Sequence, residues 1–140
     1  MKHVRYGDLS FDVPEKWLDA SVITLVGAGE DAQAPNVVIS REGLAGRTLK
    51  QVSLETAAEV KSAAKTAKVA SEGPCTIGGR ECYRVEHDLI TVDRAKLKQV
   101  QYFFTSGDDV VVLSFTAMKD TWARRSKNLA AIVQSLSIDA

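Results

Sequence analysis

Histidine, cysteine and proline are scarce in this chain: two, two and three residues among 140. An excess of either charge is missing too, since 18 basic residues balance 18 acidic ones. Each shortage excludes something. Without a basic surplus to neutralise phosphates, nucleic-acid binding is not expected. The longest strongly apolar run, Val110-Val111-Val112-Leu113, falls far short of the ~20 residues that cross a bilayer. The first residues, Met1 to Asp8, are charged throughout and lack the apolar core of a signal peptide. The expectation is a cytoplasmic protein that is not inserted in a membrane, with its cysteines held reduced.

Catalytic material is equally sparse. His87 sits in Val85-Glu86-His87-Asp88, but neighbours on a strand point to opposite faces, so no acid–base dyad forms there. His3 has no ligand spacing around it. There is no Walker-type loop and no G-x-S-x-G elbow, and Gly27-Ala28-Gly29 lacks the third glycine of a dinucleotide site. Asp108-Asp109 belongs to a turn. Cys75 and Cys82 have a spacing that metals do not use. The reading is therefore no enzyme, no metal and no cofactor. A two-residue turn at Gly78-Gly79 would put Cys75 opposite Cys82 in a hydrogen-bonded pair, Cα atoms ~5.5 Å apart and side chains held apart. A longer loop would break that pairing. Two reduced structural thiols are expected.

What is present suits one folded domain over residues 1–140. Hydrophobic residues make up 45% and charged residues 26%, an ordinary globular balance. Folding a chain of this size buries roughly two-thirds of its surface, which permits one sizeable core. Leu9, Phe11 and Val13 alternate with polar residues before Pro14 and read as an edge strand. Trp17 follows as an aromatic anchor in a turn. Ala20 to Val26 and Asn36 to Ser40 are β-branched strands, with a mobile loop over Gly27 to Ala34 between them.

Thr48-Leu49-Lys50-Gln51 fits a capping box, and the helix it opens should run to about Thr66. The stripe Leu49, Val52, Thr56, Val60 and Ala63 or Ala64 faces its core. Strands follow at Thr76 to Leu89 (broken at Gly78-Gly79), Leu97 to Thr105 and Val110 to Ala117. Asp120 is the expected cap of a final helix near 120–135, with Trp122, Ser126, Leu129, Val133 and Leu136 inward. The fold class is α+β: a single antiparallel sheet with two main helices packed on one side.

One sheet face has an unusual composition. Asn36, Val38 and Ser40 share a face of their strand. So do Leu97, Gln99, Gln101 and Phe103 on theirs, and Val22 and Thr24 on theirs. A plain core would be wholly apolar and a solvated face would carry charges. Aliphatic groups mixed with amides and hydroxyls suit a groove that takes an apolar partner and satisfies a few of its hydrogen bonds. A solvent-facing sheet with some β-branched residues gives the same pattern.

The stretch Phe11-Asp12-Val13-Pro14-Glu15-Lys16-Trp17-Leu18-Asp19-Ala20-Ser21, followed by Val37-Val38-Ile39-Ser40-Arg41-Glu42, resembles the DcrB-related family with its PsbP/Mog-like fold. Within it, the Eag-type chaperones of type VI secretion are most similar, over essentially the whole chain. The resemblance implies a non-enzymatic role. Such chaperones are small cytoplasmic homodimers whose concave sheet face holds the hydrophobic N-terminal segments of PAAR- or Rhs-type effectors. It carries the client-binding role to Val22, Ser40 and Gln99, and together with the mixed face gives the expected client-binding set Val22, Thr24, Asn36, Val38, Ser40, Thr56, Leu97 and Gln99. Thr24, Asn36, Thr56 and Ala95 depart from the residues that family favours, which makes the cradle smaller and less greasy. A general interaction module of the same fold, without secretion clients, is the competing reading.

Overall fold

The computed structural model describes residues 1–6, 8–15, 23–26 and 35–137. In chain order it contains β1 (Lys2–Tyr6), β2 (Leu9–Val13), β3 (Ile23–Val26), β4 (Asn36–Gly43) and α1 (Leu49–Ala63). Then come β5 (Lys68–Ile77), β6 (Arg80–Ile90), β7 (Lys96–Ser106), β8 (Asp109–Met118), a 3-10 turn at Lys119–Thr121 and α2 (Trp122–Ser135). Trp17, Val22 and the Gly27 to Ala34 loop lie outside the described residues.

The α+β class holds, but the expected single sheet is two. β1 and β2 form a two-stranded sheet of their own, and the other six strands run in the order β3-β4-β8-β7-β6-β5, every neighbour antiparallel. The hairpin closes with Tyr6 opposite Leu9 and pairs fully from Lys2–Val13 inward, so its ladder is complete without the larger sheet.

The helices do not share one side either. Val110 and Val112 of β8 pack with Val52 of α1, Val85 and Phe103. Val111, Leu113, Phe115 and Ala117 point the other way and meet Leu129 of α2, with Trp122, Ile132, Val133 and Leu136 around it. A strand that is apolar on both faces must be covered on both. The run Val110-Val111-Val112-Leu113 is the sequence sign of that demand. Alternation along β6 and β7 repeats it, since Val85 and Phe103 turn toward α1 while Cys82, Val100 and Phe104 turn toward α2.

Local signals account for the elements unevenly. The capping box forms as read: Gln51 N–H donates to Thr48 Oγ1 at 3.1 Å, and Thr48 N–H to Gln51 Oε1 at 2.8 Å. The helix ends earlier than expected, at Ala64, whose backbone is extended. Thr66 then ties the chain to the end of β6, donating to Ile90 O at 2.7 Å and accepting from Ile90 N–H at 3.0 Å. That anchor starts β5 at Lys68, eight residues before the strand read from Thr76. Asp120 is not the cap of α2. It lies inside the 3-10 turn, and Thr121 stands at the N-cap position with no side-chain cap bond.

The turn at Gly78-Gly79 has both residues at positive φ, 57° and 78°, the geometry of a two-residue hairpin that only glycine adopts without strain. It puts Cys75 opposite Cys82, as the count from the turn requires. The expected pair of separate thiols is corrected: Cys75 and Cys82 are joined in a disulfide. Their Cα atoms are 5.1 Å apart, inside the range of about 4.4–6.8 Å that a disulfide spans.

Candidate functional site

The registers assemble the mixed face into rows that cross four strands. Nearest the α1-packed core, Tyr83, Phe103, Val112 and Ser40 stand opposite one another in sequence across β6, β7, β8 and β4. The next row is Val85, Gln101, Ser114 and Val38, which Thr24 of β3 extends by pairing with Val38. The third is His87, Gln99, Thr116 and Asn36. Beyond it, Leu89, Leu97 and Met118 close the face with apolar groups. An apolar band thus flanks two polar rows on each side.

The polar rows are cross-linked by neutral side chains. His87 is 1% exposed and its Nε2–H donates to Gln101 Oε1 at 3.0 Å. Gln101, itself buried, donates from Nε2 to Ser114 Oγ at 3.1 Å. Gln99 Nε2 donates to the Thr116 hydroxyl at 3.2 Å. The chain of bonds stops there, because Gln99 Oε1 is shielded from solvent and accepts no hydrogen bond within the protein. A buried acceptor left unmatched costs about 1–3 kcal/mol. Burial pushes the His87 pKa below its ordinary value, against the opposing pull of the Gln101 bond and the Glu72 charge. His87 is therefore uncharged at neutral pH, and across β6, β7, β8 and β4 the polar rows carry no charge, while Glu72 of β5 stands opposite Val85 at their edge.

Arg84, Glu86 and Asp88 of β6 and Lys96 and Lys98 of β7 turn to the other face. Glu86 takes Arg84 at 3.1 Å and Lys98 at 3.2 Å, and Lys98 lies 5.6 Å over the Trp122 ring of α2. Burial alone would raise the Glu86 pKa, but the hydrogen bonds from Lys98 and Arg84 outweigh it and hold it below the ordinary value. The two faces are thus chemically distinct: the centre of one is neutral and mixed, the other is ion-paired under α2.

Of the residues singled out in the sequence, Asn36, Val38, Ser40, Leu97 and Gln99 share this one face. All but Leu97 are half-buried, and Leu97 is buried. The backbone of Thr24 pairs with that of Val38. Thr56 sits half-buried on α1, the helix that packs on β6 and β7, one turn beyond Val52. Val22 lies outside the described residues. His87, Ser114 and Thr116 were not singled out for this face. Their signal was the two-residue spacing of Ser114 and Thr116 within the otherwise apolar β8, matching that of Gln99 and Gln101. Among the described residues no cluster of three or more His, Cys, Asp or Glu side chains is placed to hold a metal ion. No helix among them is long and apolar enough to cross a membrane.

The DcrB family model matches residues 8–135. No curated protein matches the sequence. Among solved structures, the chain is similar to PA94, a protein of unknown function from Pseudomonas aeruginosa, with a TM-score of 0.83 at 15% identity, over 100% of this chain and 98% of that one. It is similar to the cyanobacterial PsbP (CyanoP) of Synechocystis sp. PCC 6803, with a TM-score of 0.62 at 12% identity over 84% and 82% of the two chains. A third likeness is to LpqN, which is involved in cell envelope biogenesis of Mycobacterium tuberculosis, with a TM-score of 0.51 at 13% identity over 98% and 88%. At such identities these likenesses establish a shared PsbP-like fold.

Proposed function

The chain belongs to the DcrB family, and from that premise we propose that its mixed sheet face holds an apolar helix, as a chaperone or adaptor without catalytic activity. The client is the hydrophobic N-terminal segment of a PAAR- or Rhs-type effector of type VI secretion, held in the cytoplasm by a homodimer. One observation supports this most: Gln99 Oε1, buried and unmatched, in the middle of a neutral face edged by Val38 and Leu97. An apolar helix brings methyl and methylene groups to the aliphatic rows, worth ~25 cal/mol per Å² removed from water before the costs of association. A side-chain or terminal donor of that helix meets Gln99, Asn36 or Ser40, and sets its register.

The test is capture of an effector N-terminal peptide by the purified protein, with light scattering to give the mass of the complex. Capture that is lost in Val38→Asp, in a variant with unchanged circular dichroism, supports the reading. Undiminished capture by that variant sinks it.

A second reading has the Cys75–Cys82 disulfide in its favour. Disulfides persist in oxidising compartments and are rare in the cytosol. Under this reading the same face serves an envelope-side accessory protein with an apolar partner. Thiol labelling of the protein in intact cells separates the two: free thiols favour the cytoplasmic chaperone, and blocked ones the envelope protein.

A further inference from the structure

One end of the six-stranded sheet gathers unpaired cations around exposed apolar groups. The turn joining β6 to β7 lies there, with the start of β5 and the 3-10 turn after β8. A cleft of about 240 Å³ opens between them. Leu89 and Leu97 reach it from the α1 side of the sheet, and Lys68, Ile90 and Lys96 from the α2 side, so the cleft straddles the sheet end and belongs to neither face. Lys119 completes its rim. Lys96 and Lys119 also line an adjoining depression, together with Arg94. Lys68, Arg94, Lys96 and Lys119 are exposed, and among the described residues none of the four has an ion-pair partner. Lys61 adds a further cation, its Nζ donating to Ala67 O at 3.1 Å. Of the carboxylates here, Asp88 is held by Lys98 at 3.8 Å, Asp93 accepts from the Thr91 hydroxyl, and Asp120 lines the depression.

The turn is held by its own hydrogen bonds. Thr91 N–H donates to Ala95 O and Arg94 N–H to Thr91 O, both at 2.9 Å, and Ala95 N–H donates to the Thr91 hydroxyl at 3.0 Å. Thr66 pins the neighbouring Ile90 through both of its backbone groups. On this frame Val92 is completely exposed and Ile90 is 43% exposed. Apolar side chains held out in water and ringed by unpartnered cations match the boundary of an anionic membrane, where acyl chains lie beneath phosphates. We propose that this end of the sheet docks on an anionic phospholipid surface. Val92 and Ile90 enter the headgroup layer, and Lys68, Arg94, Lys96 and Lys119 take lipid phosphates. Because the turn is already bonded, docking orders few groups. A nucleic-acid backbone would meet the charge but leave Val92 in water. The docking needs nothing from the mixed face, and it stands or falls apart from the helix-holding function.

The experiment sediments the full chain with two sets of vesicles, one of phosphatidylcholine alone and one that also contains phosphatidylglycerol. Binding to the anionic set is expected to exceed binding to the neutral set by more than about tenfold at low salt, and to fall as salt rises. The combined variant Lys68→Gln, Lys96→Gln, Lys119→Gln should bind the anionic set no better than the unaltered protein binds the neutral one. Val92→Ser should keep the salt dependence and lower binding severalfold, since it removes apolar contact without touching charge. All four side chains are exposed, so both variants should keep their fold, which circular dichroism verifies.

Equal binding to the two sets, or binding to neither, overturns the inference. So does anionic binding that the triple variant retains in full, which puts the lipid contact on another surface. A further arm follows a double-stranded DNA fragment by fluorescence anisotropy, and weak binding is expected. Tight DNA binding that is lost in the triple variant, with vesicle binding unaffected by Val92→Ser, assigns the lysines to a polyanion and overturns the lipid role.

Discussion

His87 donates a hydrogen bond to the side-chain carbonyl of Gln101, 14 residues away in sequence and diagonally across β6 and β7, at 3.0 Å with both side chains buried. The bond selects the tautomer with hydrogen on Nε2 and orients the Gln101 amide so that its nitrogen reaches Ser114. A buried neutral imidazole thus organises the centre of the face.

That arrangement makes stability depend on pH in a definite sense. His87 titrates below its ordinary value of about 6.5 in the folded chain, mainly through burial. Well above pH 6.5 it is neutral in both folded and unfolded chains and contributes no pH dependence. As pH falls through about 6.5 the unfolded chain takes up the proton first, and folding stability is lost until the folded value is reached. The melting temperature should therefore drop between pH 7 and pH 5, and His87→Gln should flatten that drop. An equal drop in both proteins would assign the effect to other groups.

Phe103 and Val38 stand two strands apart on the same side of the sheet and should respond oppositely to substitution. Phe103 is fully buried with Val52 and Val112. Phe103→Ala is expected to cost about 3–5 kcal/mol, read from denaturant unfolding. Val38 is half-buried, beyond the α1-packed cluster. Val38→Asp should shift the unfolding midpoint little and lower peptide capture by more than about tenfold, since an aspartate would be desolvated by the client. Unfolding of Val38→Asp would make that position core.

Gln99→Leu separates binding from folding more sharply. It removes a buried acceptor that the fold leaves unmatched, so stability should stay level or rise. The same change should weaken a client that donates to Oε1, by several-fold. A loss of stability above about 1 kcal/mol would mean that the Gln99–Thr116 bond outweighs the unmatched oxygen.

The disulfide staples the β5–β6 hairpin over a sequence separation of 7. On chain-entropy grounds, closing so short a loop stabilises by about 2–3 kcal/mol. Reduction should lower the unfolding free energy by that amount and leave the hairpin formed, because Gly78-Gly79 and the ladder to Phe104 do not depend on sulfur. No change in the unfolding midpoint with reductant would show that the two thiols are not bonded in solution.

Much of this fold is legible in short stretches. Thr48 and Gln51 announce the start of α1 because both hydrogen bonds of the box join residues three apart. The inward stripe of α2 follows from spacings of three and four, and Leu129 is buried as that stripe requires. β5 was legible only near its turn. Lys68 to Cys75 shows no alternation and exposes most of its side chains, and it is a strand because β6 offers it an open ladder.

The sequence by itself determined which residues share a face. Strand alternation has a period of two, so Asn36, Val38 and Ser40, or Leu97, Gln99 and Gln101, travel together whatever they pack against. Tertiary structure alone decided which strands lie side by side, and hence that Gln101 meets both His87 and Ser114 while Gln99 Oε1 meets nothing. It also decided that α1 and α2 cover opposite faces, which the apolar run at Val110 to Leu113 demanded and left unassigned. The physical reason is range. Helix caps, turns and alternation are interactions over a few residues, whereas register and coverage are settled by burying apolar area across the whole chain.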